Sequence, residues 1–301
     1  MDKTNFANID CTTTLRGIAI LIIIVGHVGV SGFDCRYFNP FGGIGVAMFL
    51  FLSGYGLTES FKKKGISHFW SKKVFRIAIP YLLWIPLYHI VVRISPLGSP
   101  YHIETIPRYW FIEYLLIMYV AFYVTIRVRK QYMISLLALM GFVFFFTLNN
   151  LRAEQSFSFL GGVLFSEYKL CFSILNRKKL FTISLTFLAI GITALLIKQL
   201  PSIRLYDFES MPFKICNLFL KLPLAIFFIF LFLSVLPNGN KWISKIGNIS
   251  YELYLVHVSF FMGIRYSYIN LTLFIIQTFI LAYILNTLTK QVNKIKKAYE
   301  K

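Results

Sequence analysis

Residues Leu15 to Gly29 read LRGIAILIIIVGHVG. Between Arg16 and His27 the stretch is aliphatic, broken only by glycine, which is the composition of a membrane-crossing helix. Nine more apolar runs follow it. The ten lie at roughly 12–31, 41–58, 76–92, 109–126, 132–149, 157–174, 180–198, 213–236, 246–264 and 271–289, each long enough for about 30 Å of hydrocarbon. Glu167 and Lys169 interrupt the sixth. The runs are continuously apolar rather than alternating, which excludes a barrel of strands. Backbone groups in lipid must bond within their own segment, so the runs are helices.

The composition agrees. Of 301 residues, 57% are hydrophobic and 14% charged, against about 25% charged in soluble domains. A soluble enzyme is excluded on that ground. The net charge of +19 does not point to nucleic acid. Lysines and arginines fall in short clusters between apolar runs, and no continuous basic face exists. With the N-terminus inside, inner segments hold 20 of the 31 Lys and Arg and outer loops hold 8. That asymmetry places both termini in the cytoplasm. The expected fold is an all-α polytopic bundle of about ten transmembrane helices. It forms one domain over 1–301, with no soluble domain appended and no cleavable signal. Residues 66–76, ISHFWSKKVFR, mix aromatic with basic residues like a helix lying at the inner interface. Cys11, Cys35, Cys171 and Cys216 have no metal-ligand or disulfide spacing.

Two ionisable residues on the first helix then need a reason. Arg16 and His27 are eleven positions apart, or three turns plus about 20°, so they share a face about 16 Å apart along the axis. Gly17 and Gly26 let neighbouring helices approach it. Arg16 alone reads as snorkelling to headgroups, and His27 alone as an interhelical bond. Together they read as a site, because ionisable groups within a membrane usually line one.

The same residues resemble a known family. An arginine, ten residues and a histidine is similar to the first-helix signature of the membrane acyltransferase-3 family. GIGVAMFLFLSGYGL (Gly43–Leu57) resembles that family's second helix, through Gly45, Phe49, Ser53, Gly54 and Tyr55. KKVFRIAIPY (Lys72–Tyr81) resembles its Arg-x-x-Arg element, with Lys73 and Arg76 in those positions. Lys73 keeps the charge there but not the guanidinium fork. YWFIEYLLIMY (Tyr109–Tyr119) and ISYELYLVH (Ile249–His257) resemble two later helices.

The resemblance implies transfer of an acyl group, acetyl foremost, from cytoplasmic acyl-coenzyme A. The acceptor it implies is a hydroxyl of a cell-surface or lipid-linked glycan at the cell membrane. Acyl-coenzyme A is then a donor substrate, and no tightly bound cofactor is expected. Arg16, Lys72, Lys73 and Arg76 suit its phosphates. His27 suits the chemistry, either as general base or as a transient acyl-imidazole carrier. Glu113 is expected to orient His27 or to bind a sugar hydroxyl, against the plain reading of a headgroup-level carboxylate. Ser53, Tyr55, Trp110, Tyr254 and His257 are expected to line the site. Tyr254 and His257 share a helix face, with Glu252 close by. His89 reads as structural and His68 carries no role. Lys221 in the eighth run is unexplained by these patterns, and a pairing with a span carboxylate is left open. The alternative is a multi-helix transporter of a glycan or lipid-linked intermediate, whose usual pair of interrupted helices in two halves is not found. A non-catalytic assembly subunit is the third reading.

Overall fold

The computed structural model describes residues 9–67, 69–97, 109–168 and 176–299. No strand occurs among the described residues. Each apolar run holds a helix: α1 (Ile9–His27), α2 (Asn39–Lys64), α3 (Ile79–Ile94), α4 (Trp110–Arg129), α5 (Met133–Thr147), α6 (Ser158–Glu167), α7 (Arg177–Gln199), α8 (Met211–Val235), α9 (Ser250–Phe260) and α10 (Tyr268–Tyr299). His68, Lys169, Cys171 and the side chain of Lys72 lie outside the described residues.

Among the described residues, seven helical stretches are long and apolar enough to cross a membrane: Asp10–Val30, Arg36–Lys64, Phe69–Ile94, Trp110–Thr147, Arg177–Gln199, Met211–Val235 and Tyr268–Ile295. The difference from ten has physical causes. The fourth stretch takes in both α4 and α5, which meet at a 3-10 turn, Lys130–Tyr132. Helices α6 and α9 have 10 and 11 residues, only about 15–17 Å at 1.5 Å per residue. Helix α9 stops at the 3-10 turn Phe261–Gly263, and Arg265 and Tyr266 then adopt positive φ of 45° and 62°. The segment read as interfacial is continuous with α3. A short helix, Phe69–Lys73, leads through a π-turn, Val74–Ala78, directly into Ile79.

The chain forms two compact units. The first comprises Met1–Ile23, Pro40–Gly65 and Phe111–Gly247. Its core joins Leu15 and Ala19 to Met48, Phe51 and Tyr55 of α2, Phe165 of α6, and Leu220, Ile229 and Phe230 of α8. Helices α2 and α6 cross backbone to backbone. A Cβ on Gly162 would collide with the Phe51 carbonyl, and one on Gly54 with the Phe159 carbonyl. Between α5 and α6 the chain makes only a one-turn helix, Asn150–Ala153, yet it stays buried at Asn150, Glu154, Gln155 and Ser156, as does Ser158 at the start of α6. Buried polar groups need partners, and the side chains of Asn150, Glu154, Gln155, Ser156 and Ser158 have them, while Nε of Arg152 is buried without one. Lys221 of α8 forms an ion pair with Glu154. The Gln155 amide donates to the Gly43 carbonyl at 3.0 Å. Lys214 donates to the Leu148 carbonyl at 2.7 Å. Lys198 donates to Asn217 at 2.6 Å, and Asn217 donates to Asn150 at 3.1 Å.

The second unit comprises Ile24–Asn39, Ile66–Trp110 and Asn248–Lys301. Trp84, Tyr88, Phe260 and Phe274 are fully buried in it. A π-turn, Val28–Gly32, starts immediately after His27. It is held by the Cys35 amide donating to the Gly29 carbonyl and the Tyr266 amide donating to that of Gly32, both at 2.8 Å. π-Turns are uncommon and occur mostly as single-turn insertions in α-helices, frequently at functional sites. The two among the described residues lie at residues picked from sequence: one follows His27, and the other follows Lys73 and contains Arg76.

Candidate functional site: a pair of imidazoles

His27 is the last residue of α1 and is partly exposed. Its Nδ1 lies 3.1 Å from Nε2 of His257, which is fully buried on α9. The ring centroids are 5.2 Å apart with 30° between the planes. That separation is close to the nitrogen–nitrogen distance plus the two ring radii, so the rings meet edge to edge through a hydrogen bond. The other nitrogen of His257, Nδ1, lies 2.9 Å from the Leu253 carbonyl oxygen one turn back. The Phe261 ring covers a face of His27 at 4.8 Å and 24°. The Tyr254 ring meets His257 at 5.5 Å and 64°, the edge-to-face arrangement aromatic rings favour.

The helix that carries His257 is fixed on several sides. Trp84 Nε1 donates to the Tyr109 hydroxyl at 2.8 Å, and that hydroxyl donates to the Leu255 carbonyl at 2.9 Å. Ser259 Oγ lies 3.1 Å from the same hydroxyl. The Tyr251 hydroxyl donates to the Ile77 carbonyl at 2.9 Å, and Asn286 donates to Glu252 at 2.9 Å. In the sequence IleSerTyrGluLeuTyrLeuValHisValSer, the polar residues are therefore the ones that locate the helix.

Of the residues picked from sequence, the structure brings His27, Tyr254 and His257 together. In the same unit Trp110 opens α4, Lys73 lies over the Phe69 ring at 5.9 Å, and Arg76 is exposed within its π-turn. His89 is partly buried against Tyr88. The others belong to the first unit. Arg16 is partly buried, with its guanidinium alongside Gly56 of α2. Ser53 is partly buried, and Tyr55 is buried against Phe165. Glu113 forms an ion pair of 2.6 Å with Arg152, its side chain about half exposed at 48%. Lys221 has its carboxylate in Glu154. Glu167 pairs with Lys62 at 3.5 Å. Sequence reasoning did not pick Tyr109, Trp84 and Ser259, whose hydroxyls and indole are ordinary in an aromatic-rich run.

Chemically, the pair offers one partly accessible imidazole whose second nitrogen is held by a buried partner. That is the arrangement of an oriented base. Residues 8–289 match the acyltransferase-3 family model, described as an acyltransferase domain. No curated protein and no solved structure matches the chain.

Proposed function

The chain belongs to the acyltransferase-3 family, and from that premise we propose that it O-acylates a glycan using cytoplasmic acyl-coenzyme A, with acetyl as the acyl group. The acceptor is a hydroxyl of a cell-surface or lipid-linked polysaccharide, and the protein works in the cell membrane with both termini in the cytoplasm. The observation that carries the reading is the partly exposed His27 imidazole, held through one nitrogen within a chain of this family. His27 acts as general base. It takes the proton of the acceptor hydroxyl as the oxygen attacks the thioester carbonyl. The new C–O bond forms, the C–S bond breaks, and the proton passes to the departing thiolate. Arg16, Lys73 and Arg76 receive the phosphates of the donor, the arginines by forked hydrogen bonds and the lysine as a point charge.

The test compares surface glycans by mass spectrometry from cells carrying wild-type protein or His27→Ala. The expected result is loss of one acyl mass per modified repeat, with the variant still present in the membrane at its normal level. Unchanged glycans in that variant would overturn the assignment of His27. Arg16→Gln and Arg76→Gln are each expected to weaken coenzyme A binding about 10- to 100-fold, as loss of a charge-assisted bond of ~1.5–3 kcal/mol requires. Unchanged affinity in calorimetric titration of both variants would remove these residues from the donor site.

A further inference from the structure

The hydrogen bonds around the two imidazoles have only one consistent direction. The Leu253 carbonyl can only accept, so Nδ1 of His257 must carry a hydrogen. A neutral imidazole has one N–H, so Nε2 of His257 is a bare acceptor. The hydrogen in the 3.1 Å contact therefore belongs to Nδ1 of His27. Neutral His27 is then bare at Nε2, its remaining ring nitrogen.

We propose that His257 is the positioning residue of this enzyme, holding His27 as the Nδ1–H tautomer so that Nε2 is the atom that takes the acceptor's proton. The inference rests on His27 being the base, and it adds which nitrogen acts and what sets it. His257 is buried and touches no substrate. Once Nε2 of His27 is protonated, the Nδ1–H···Nε2 bond becomes charge-assisted, which strengthens it. His257 thus stabilises the imidazolium as well as orienting the ring. It does so without a net charge of its own, and burying a neutral acceptor in an apolar bundle costs far less than burying a carboxylate. The chain of bonds ends at a carbonyl that cannot take a proton. The proton on Nε2 consequently has no exit through His257, and it returns to the sulfur of the leaving thiolate. The aromatic surroundings fit the same purpose. Phe261 against one ring and Tyr254 against the other restrict both from turning.

Two measurements test this. The first is ¹⁵N NMR of wild-type protein, histidine-labelled and in lipid nanodiscs, with the His27 signals identified by their loss in His27→Ala. Bare Nε2 and protonated Nδ1 are expected for His27. A protonated Nε2 in the neutral ring would overturn the proposal without any His257 variant needing to fold. The second is the rate of [¹⁴C]acetyl transfer from acetyl-coenzyme A to endogenous glycan in inverted membrane vesicles. His257→Leu removes the acceptor and is expected to lower the rate at saturating donor by ~10²–10⁴-fold, the scale of losing the right tautomer or a general base. Its KM for acetyl-coenzyme A is expected to stay within about twofold. His257→Gln places an amide oxygen near the former Nε2 and is expected to recover at least tenfold over His257→Leu. A merely structural role predicts no such recovery. Wild-type rate in His257→Leu, or equal rates in the Leu and Gln variants, would overturn the proposal. Activity in His27→Ala would instead bring down the base assignment on which it rests.

Discussion

Removing Lys221 should expose how the buried segment between α5 and α6 is held. The Glu154 side chain is 0% exposed and that of Lys221 is 10% exposed, so the ion pair is withdrawn from solvent. Lys221→Met keeps the length and apolar stem of the side chain but takes away the cation. Glu154 then retains a weak contact from the Gln155 amide, at 3.4 Å. Leaving one charge of a buried pair without its partner costs about 3–5 kcal/mol, equivalent to roughly 100- to 4,000-fold in the folding equilibrium. Glu154→Gln strands the ammonium instead and is expected to cost somewhat less, since a lysine stem can redirect its head. The double variant removes both charges and should lie within ~1 kcal/mol of wild type, because buried pairs roughly balance their own desolvation. The assay is reversible unfolding in mixed micelles by increasing SDS, followed by helical circular dichroism, with the four proteins forming a double-mutant cycle. The reasoning is refuted if Lys221→Met unfolds with the wild-type midpoint, or if the two single effects simply add in the double variant.

Three further substitutions address packing and bonding in the two units. Gly162→Ala should destabilise by about 1–3 kcal/mol or abolish folded yield, because its methyl would meet the Phe51 carbonyl and α2 and α6 would have to part. Gly161→Ala, one residue earlier, meets only the Phe51 ring at 3.2 Å and should cost distinctly less; thermal aggregation midpoints in detergent give the order, and the reverse order would contradict the crossing. Tyr109→Phe should cost about 1–3 kcal/mol, since it leaves the buried Trp84 indole N–H without its acceptor. Intrinsic fluorescence during the same SDS titration reads both the midpoint and the indole environment, and no change in either would count against the bond.

Much of the helical architecture was legible because apolar runs and basic clusters are local patterns. The number of crossings was less so. Apolar length does not reveal where a backbone leaves the helix, and α6 and α9 are shortened by breaks at 148–157 and 261–266. His27 stood out because an ionisable ring in an aliphatic run is conspicuous. His257 also stood out, but its partnership with a residue 230 positions away follows from no periodicity. Glu154 and Gln155 were illegible altogether. A short polar stretch between two apolar runs reads as a solvated loop, and only the packing of the first unit shows it buried. Lys221 carried the complementary signal, a cation in a span, without a way to name its carboxylate.

The arrangement around α9 shows why such a short helix carries so many polar side chains. Apolar contact in a membrane protein gives little rotational preference, since a leucine gains about as much from lipid as from a neighbouring helix. Polar bonds must then set how the helix is turned. In α9 those bonds go to different elements: Tyr251 to the Ile77 carbonyl, Glu252 to Asn286 of α10, Leu255 and Ser259 to Tyr109, and His257 to His27. A slip of one residue turns the helix by about 100°, which would break all of them together and bury their polar atoms unpaired. No intermediate rotation satisfies part of the set cheaply. The proposed base needs its geometry held to about 0.5 Å and 10–20°, and a set of hydrogen bonds that form or break together suits that need where hydrophobic packing alone would let the ring wander.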